Sequence, residues 1–234
     1  MHMTASPTAQ HVRVHRAVTA TLEKRALVWI AERLPLSINS DHLSALSLIA
    51  MAGAGLSFAA FRLTPWAALA VVLSLVANWL GDSLDGTLAR VRNHQRPRYG
   101  FYVDHVIDVA GTTFLMAGLA GSGLMHPLLA AALLAAYLLV SSEAYLATHA
   151  RGVFHMSFFG VGPTELRIVL AAGAIKVAAT PWIALGDGYS VRLFDLGGLI
   201  AAAGLAMTFI VSSIRNARAL YLAEPIPTTN RRTA

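Results

Sequence analysis

Four aspartates carry the chemistry open to this sequence. Asp82 and Asp85 lie three residues apart in "GDSLDGTLAR"; Asp104 and Asp108 lie four apart in "YVDHVID". Residues three or four apart share one face of a helix, so each pair can point one way. Four neighbouring carboxylates repel one another. Each also costs about 2.5–3.5 kcal/mol at the centre of a bilayer, and less near the interface. Two divalent cations would balance them, because hard cations prefer oxygen ligands, and would still attract a polyphosphate. Pairing with Arg90 and the arginines that follow is the other way to balance the charge, and metal is the favoured reading. Gly86 and Ala89 make a narrow strip of small residues, where a flat ligand could approach the backbone or another helix could pack.

These carboxylates sit at the ends of apolar runs. The chain has 234 residues, is 56% hydrophobic and only 13% charged, with a mean hydropathy of +0.59. Soluble domains carry about 25% charged residues, so the chain reads as an all-α integral membrane protein. A bilayer core needs about 20 apolar residues as helix. Residues 43–61 and 63–81 supply two spans, the second continuing past Asp82 towards Arg90. Residues 109–142 are uncharged and too long for one helix, and "GSGLMHP" divides them. A fifth span runs from about Pro163 to Leu185, interrupted by Arg167 and Lys176, and a sixth covers 196–214, extending towards Tyr221. Before them, residues 15–35 place Val18, Leu22, Leu27 and Ile30 at near-helical spacing. This predicts an amphipathic helix on the membrane surface, or a helix packed on the rest of the protein. The expected division is a tail and surface helix over 1–40, a membrane domain over 41–222 and a C-terminal tail over 223–234.

Charge sets the orientation. The N-terminal segment, the loop with Arg90, Arg92, Arg96 and Arg98, the Arg151 loop and the C-terminal segment are basic; the opposite loops hold only Arg62 and Arg192. Both termini and the aspartates are therefore expected on the cytoplasmic side, in the cytoplasmic (inner) membrane. The net charge of +6 follows from this bias, and nucleic acid is not an expected partner. There is no cysteine, which excludes disulfides and thiolate metal sites.

The complete spacing is Asp82-x2-Asp85-Gly86-x2-Ala89-Arg90-x9-Gly100-x3-Asp104-x3-Asp108. It resembles the signature of the CDP-alcohol phosphotransferase (CDP-alcohol phosphatidyltransferase) family, membrane enzymes of phospholipid synthesis. "NSDHLSALSLIAMAGAGLSF" is similar to the family's first membrane helix, with Ser-Asp where Pro-Asn is usual. The resemblance implies six spans behind an amphipathic helix, and often a homodimer among membrane lipids. It implies that Asp82, Asp85, Asp104 and Asp108 hold two Mg²⁺ or Mn²⁺ ions on the pyrophosphate of a CDP-linked donor. Gly86, Ala89, Arg90 and Gly100 would line the cytidine site, and Asp108 would be the catalytic base for the acceptor hydroxyl, with CMP leaving. Asn78, one turn before Asp82, is a further candidate for the donor. His105 is an alternative base, but lies about 100° round the helix from Asp104 and reads better as a supporting residue.

The motif does not name the alcohol. "YVDHVID" and "FFGVGPTELRI", with Glu165, lean weakly to a CDP-aminoalcohol donor and a diglyceride acceptor. The alternative is a CDP-diacylglycerol donor and a small polar alcohol such as inositol phosphate, glycerol phosphate or serine. A phosphorylated acceptor needs a basic pocket, and Arg151 and Arg167 flank the same loop. Glu143, alone in an apolar run, is expected to face the bundle interior. A prenyltransferase and a divalent-metal transporter are distant rivals; neither accounts for the Asp-Gly-x2-Ala-Arg context.

Overall fold

A computed structural model describes residues 20–152, 163–186, 188–224 and 226. Seven α-helices lie among them: α1 (Ala20–Arg33), α2 (Ser40–Ala59), α3 (Ala67–Val91), α4 (Pro97–Ser122), α5 (Pro127–Arg151), α6 (Pro163–Ala179) and α7 (Leu193–Ala223). Five of them, α2, α3, α4, α5 and α7, are long and apolar enough to cross a membrane. The protein is thus an all-α integral membrane protein. α6 stands where the fifth span is expected and has 17 residues, or about 26 Å of helix.

Local signals set most boundaries. Asn39 caps α2, accepting from the His42 backbone while the His42 side chain receives the Asn39 N–H. The expected break after α4 is made by Gly123, whose φ of 80° closes that helix, and by Pro127 at the start of α5. One boundary differs from expectation. The fifth span stops at Ala179, and a hairpin of β1 (Trp182–Gly186) and β2 (Tyr189–Arg192) follows. Pro181 disfavours helix at Thr180 before it, and Gly186 and Gly188 adopt φ of 94° and 80°, which suits a tight turn. Hydropathy alone cannot see this stop, because the strand that follows, Trp182–Gly186, is itself apolar.

In lipid, helices associate through close packing more than through the hydrophobic effect, and here α2 is the hub. α3 and α4 both pack extensively on α2 and make few direct contacts with each other. A Cβ at Gly81 of α3 would meet the Leu43 carbonyl of α2 at 2.6 Å, and one at Gly118 of α4 would collide with the Gly55 backbone of α2. Phe58, Val71, Leu75, Leu115 and Leu119 fill the centre and continue into α5–α7 through Leu133, Ala174 and Phe194. A second apolar cluster joins α1 to α2 and α3: Leu27, Ala31, Leu43, Leu84 and Leu88. So α1 packs on the protein along one stripe. Trp29 on another face is 57% exposed, with the Arg33 guanidinium over its ring at 4.1 Å. Residues 15–19 of the predicted helix lie outside the described residues.

Candidate functional site

The carboxylates meet between α3 and α4, within the length of both helices and not at their ends: α3 runs on past Asp82 to Val91, and α4 begins at Pro97, before Asp104. Asp82, Asp104 and Asp108 each offer an oxygen, all within 4.8 Å of one another. The two helices are each held by α2, and the three side chains meet between them. Asp85 turns to α2: its Oδ2 accepts from Ser44 Oγ at 2.7 Å and its Oδ1 from the Gly86 N–H at 2.5 Å. Its backbone carbonyl accepts from Ser40 Oγ at 2.8 Å. Three positions along a helix fall about 60° short of a full turn, and that offset aims Asp85 past the cleft.

Both motif glycines border open space. A Cβ at Gly86 would meet only the Arg90 guanidinium, at 3.4 Å, and one at Gly100 would meet nothing within 4 Å. Arg90 donates to Thr87 Oγ1 at 3.0 Å. Next to this motif lies a cavity of about 460 Å³, lined among others by Asn39, Ser40, Asp41, Ala89 and Arg96. Arginines close its walls. Arg96 donates to both oxygens of Asp41, at 2.6 and 2.8 Å, and this bond raises its pKa above the ordinary arginine value. Arg92 donates to the carbonyls of Ile38, Leu34 and Pro35, at 2.5, 2.8 and 3.1 Å. It thereby ties the end of α3 to the segment that joins α1 to α2.

The remaining candidates separate. Arg167 of α6 reaches the carboxylates: its Nη2 donates to Asp82 Oδ2 at 2.6 Å and its Nε to Asn78 Oδ1 at 2.7 Å. Asn78 is buried, and its amide N–H groups go to the Ser47 carbonyl at 3.0 Å and Ser47 Oγ at 2.8 Å. Arg151 does not join Arg167. It donates to Asn216 of α7, which in turn donates to Glu143 at 2.5 Å. Glu143 is buried, as its place in an apolar run implies. His105 Nδ1 lies 2.6 Å from the Phe101 carbonyl and 3.9 Å from Asp104, and its ring meets Tyr145 edge-on. Glu165 is exposed at the start of α6. Asn216 and the α2 serines Ser40, Ser44 and Ser47 escaped sequence reading as partners of the candidate residues; they are common polar residues in apolar helices.

The donor set suits a hard divalent cation: clustered carboxylate oxygens, with no cysteine in the chain. Fold and site together define a polytopic membrane protein with an acidic, cation-competent cluster between two of its helices. The chain belongs to the CDP-alcohol phosphatidyltransferase family, whose profile matches residues 42–212; it is a transferase of phospholipid biosynthesis. Its fold is similar to that of phosphatidylinositol phosphate synthase from Mycobacterium tuberculosis, solved with CDP-DAG bound. The TM-score is 0.54 and the identity 19%, over 90% of this chain and 99% of that one. No curated protein sequence matches the chain.

Proposed function

We propose that the protein transfers a phosphatidyl group from CDP-diacylglycerol to the hydroxyl of a small polar alcohol and releases CMP. The carrying observation is the three-carboxylate cleft between α3 and α4, in a fold whose solved neighbour holds CDP-DAG. The lean towards a CDP-aminoalcohol donor gives way to this reading. Of its two supports, "YVDHVID" places His105 on a backbone carbonyl. The other, "FFGVGPTELRI", lies outside the described residues up to Gly162 and then presents an exposed Glu165.

Asp82, Asp104 and Asp108 would hold Mg²⁺ or Mn²⁺, with Asp85 completing the set by rotating from Ser44. Bound there, the cations would neutralise the donor's diphosphate and the charge that builds on the leaving CMP. The chain's own residues do the rest. Gly86 and Gly100 admit the donor to the helix backbone. The cavity beside Ala89 has the size of a small-ligand site and takes the cytidine. Asp108 accepts the proton of the acceptor hydroxyl as its oxygen forms a bond to the β-phosphorus, and the bond from that phosphorus to CMP breaks. Arg151 is the candidate contact for a phosphate on the acceptor, because a guanidinium that donates to one neutral amide keeps further donors. The cleft and both termini face the cytoplasm in this reading, which the positive-inside bias supports.

The test is CMP release by purified protein in lipid with Mg²⁺ and pooled acceptors. Release from CDP-diacylglycerol but not from CDP-choline or CDP-ethanolamine is expected. Release from an aminoalcohol donor alone would overturn the assignment.

A further inference from the structure

We infer that Arg167 is the built-in counter-ion of the carboxylate cluster and restrains its affinity for divalent cations until a diphosphate enters the cleft. The inference rests on the cation-binding reading of that cluster.

Arg167 comes from a different part of the chain, α6, and is fixed at both ends of its guanidinium. Nη2 holds Asp82 Oδ2 at 2.6 Å and Nε holds Asn78 Oδ1 at 2.7 Å. The Asn78 acceptor cannot turn away. Its amide nitrogen donates to the Ser47 carbonyl and hydroxyl, and a flipped amide would set two acceptors against each other. A chain of bonds therefore runs Ser47–Asn78–Arg167–Asp82 across α2, α3 and α6. The Arg167 side chain is 11% exposed and that of Asp82 is 25% exposed, so solvent screens this pair far less than a surface ion pair.

Two consequences follow for a cation. Asp82 Oδ2 already accepts a charged hydrogen bond, which weakens its donation to a metal. The guanidinium also offsets part of the negative charge that draws cations to the cluster. A diphosphate in the cleft supplies the missing negative charge and gives Arg167 another acceptor. Cations and donor then bind together rather than in turn.

The test is Mn²⁺ binding to the purified full chain in detergent, read from the EPR signal of free Mn²⁺ without donor. Arg167→Gln is expected to bind Mn²⁺ about tenfold more tightly than the parent, since a nearby like charge is gone. Arg167→Lys keeps the charge and should stay within about threefold. The sign is diagnostic: loosened structure weakens a metal site, so tightening cannot come from damage. Arg167→Met is read the same way if the glutamine variant does not elute as the parent does. Unchanged or weaker binding in a folded neutral variant would overturn the inference. Adding CDP-diacylglycerol should tighten Mn²⁺ binding by a larger factor in the parent than in Arg167→Gln, and equal factors would also overturn it. If neither the parent nor Arg167→Gln takes up Mn²⁺, the cation reading itself fails. If uptake is lost in Asp104→Asn but is the same in the parent and Arg167→Gln, only the role of Arg167 fails.

Discussion

Two glycines five residues apart on α3 should respond to the same substitution in opposite ways. At Gly81 an added Cβ would meet the Leu43 carbonyl at 2.6 Å and the Ser47 nitrogen at 2.8 Å, both backbone atoms of α2. Those atoms cannot yield without moving the helix, and overpacking of this kind costs about 1–3 kcal/mol. At Gly86 the added Cβ would meet only the flexible end of Arg90, at 3.4 Å. Replacing a helix-interior glycine there should stabilise the fold by about 0.5–1 kcal/mol. If the donor lies against that backbone, however, the same methyl stands in its way. A clash of about 1–3 kcal/mol in the bound state corresponds to roughly 5- to 150-fold in kcat/KM. The assay pairs thermal unfolding in detergent with CMP release at varied CDP-diacylglycerol. Gly86→Ala should melt at or above the parent temperature and lose activity through donor KM; Gly81→Ala should melt lower. A Gly86→Ala enzyme with parental donor KM would show that the open space at this glycine is not where the donor lies.

Other expectations are more local. Asp108→Asn should lower turnover by about 10²- to 10⁴-fold, the usual contribution of a general base, with an unchanged melting temperature; near-parental turnover would remove Asp108 from the reaction. Arg92→Ala frees the connection between α1 and α2 and should cost about 1.5–3 kcal/mol, the range for a charged hydrogen bond. Proteolysis should then reach that connection before the rest of the chain, and equal resistance would contradict the tie. Glu143→Ala leaves the Asn216 amide without its buried acceptor and should lower stability by about 1–3 kcal/mol, whereas Glu143→Gln keeps an acceptor and should cost less. Thermal melts of the two variants decide, and equal losses would show that the hydrogen bond carries no weight.

Most of the membrane architecture was legible in the sequence because spans announce themselves by length and apolarity. Glu143 was legible for the same reason: a carboxylate in an apolar run has only the interior to go to. The aspartate spacing was legible because helix geometry is local. What the spacing could not give was how two helices meet. Asp85 leaves the cluster for Ser44, and Arg167 joins it from 85 positions away; both depend on packing between segments that share no local pattern. The hairpin after α6 was hidden for another reason. Its first strand is as apolar as the helix before it, and Pro181 and the two glycines mark the change.

Because α3 and α4 are each docked on α2, neither pair of aspartates depends on attraction across the cleft to stay in place. Gly118, where α4 lies against Gly55, is ten residues from Asp108, or about 15 Å along the axis. That joint acts as a ruler. It sets the depth of the α4 carboxylates from deep in the apolar bundle, as the Gly81 contact sets that of the α3 carboxylates from nearby. Mutual repulsion then pushes against a third helix instead of prying apart its own interface, and the space between α3 and α4 is kept by contacts that carry no charge.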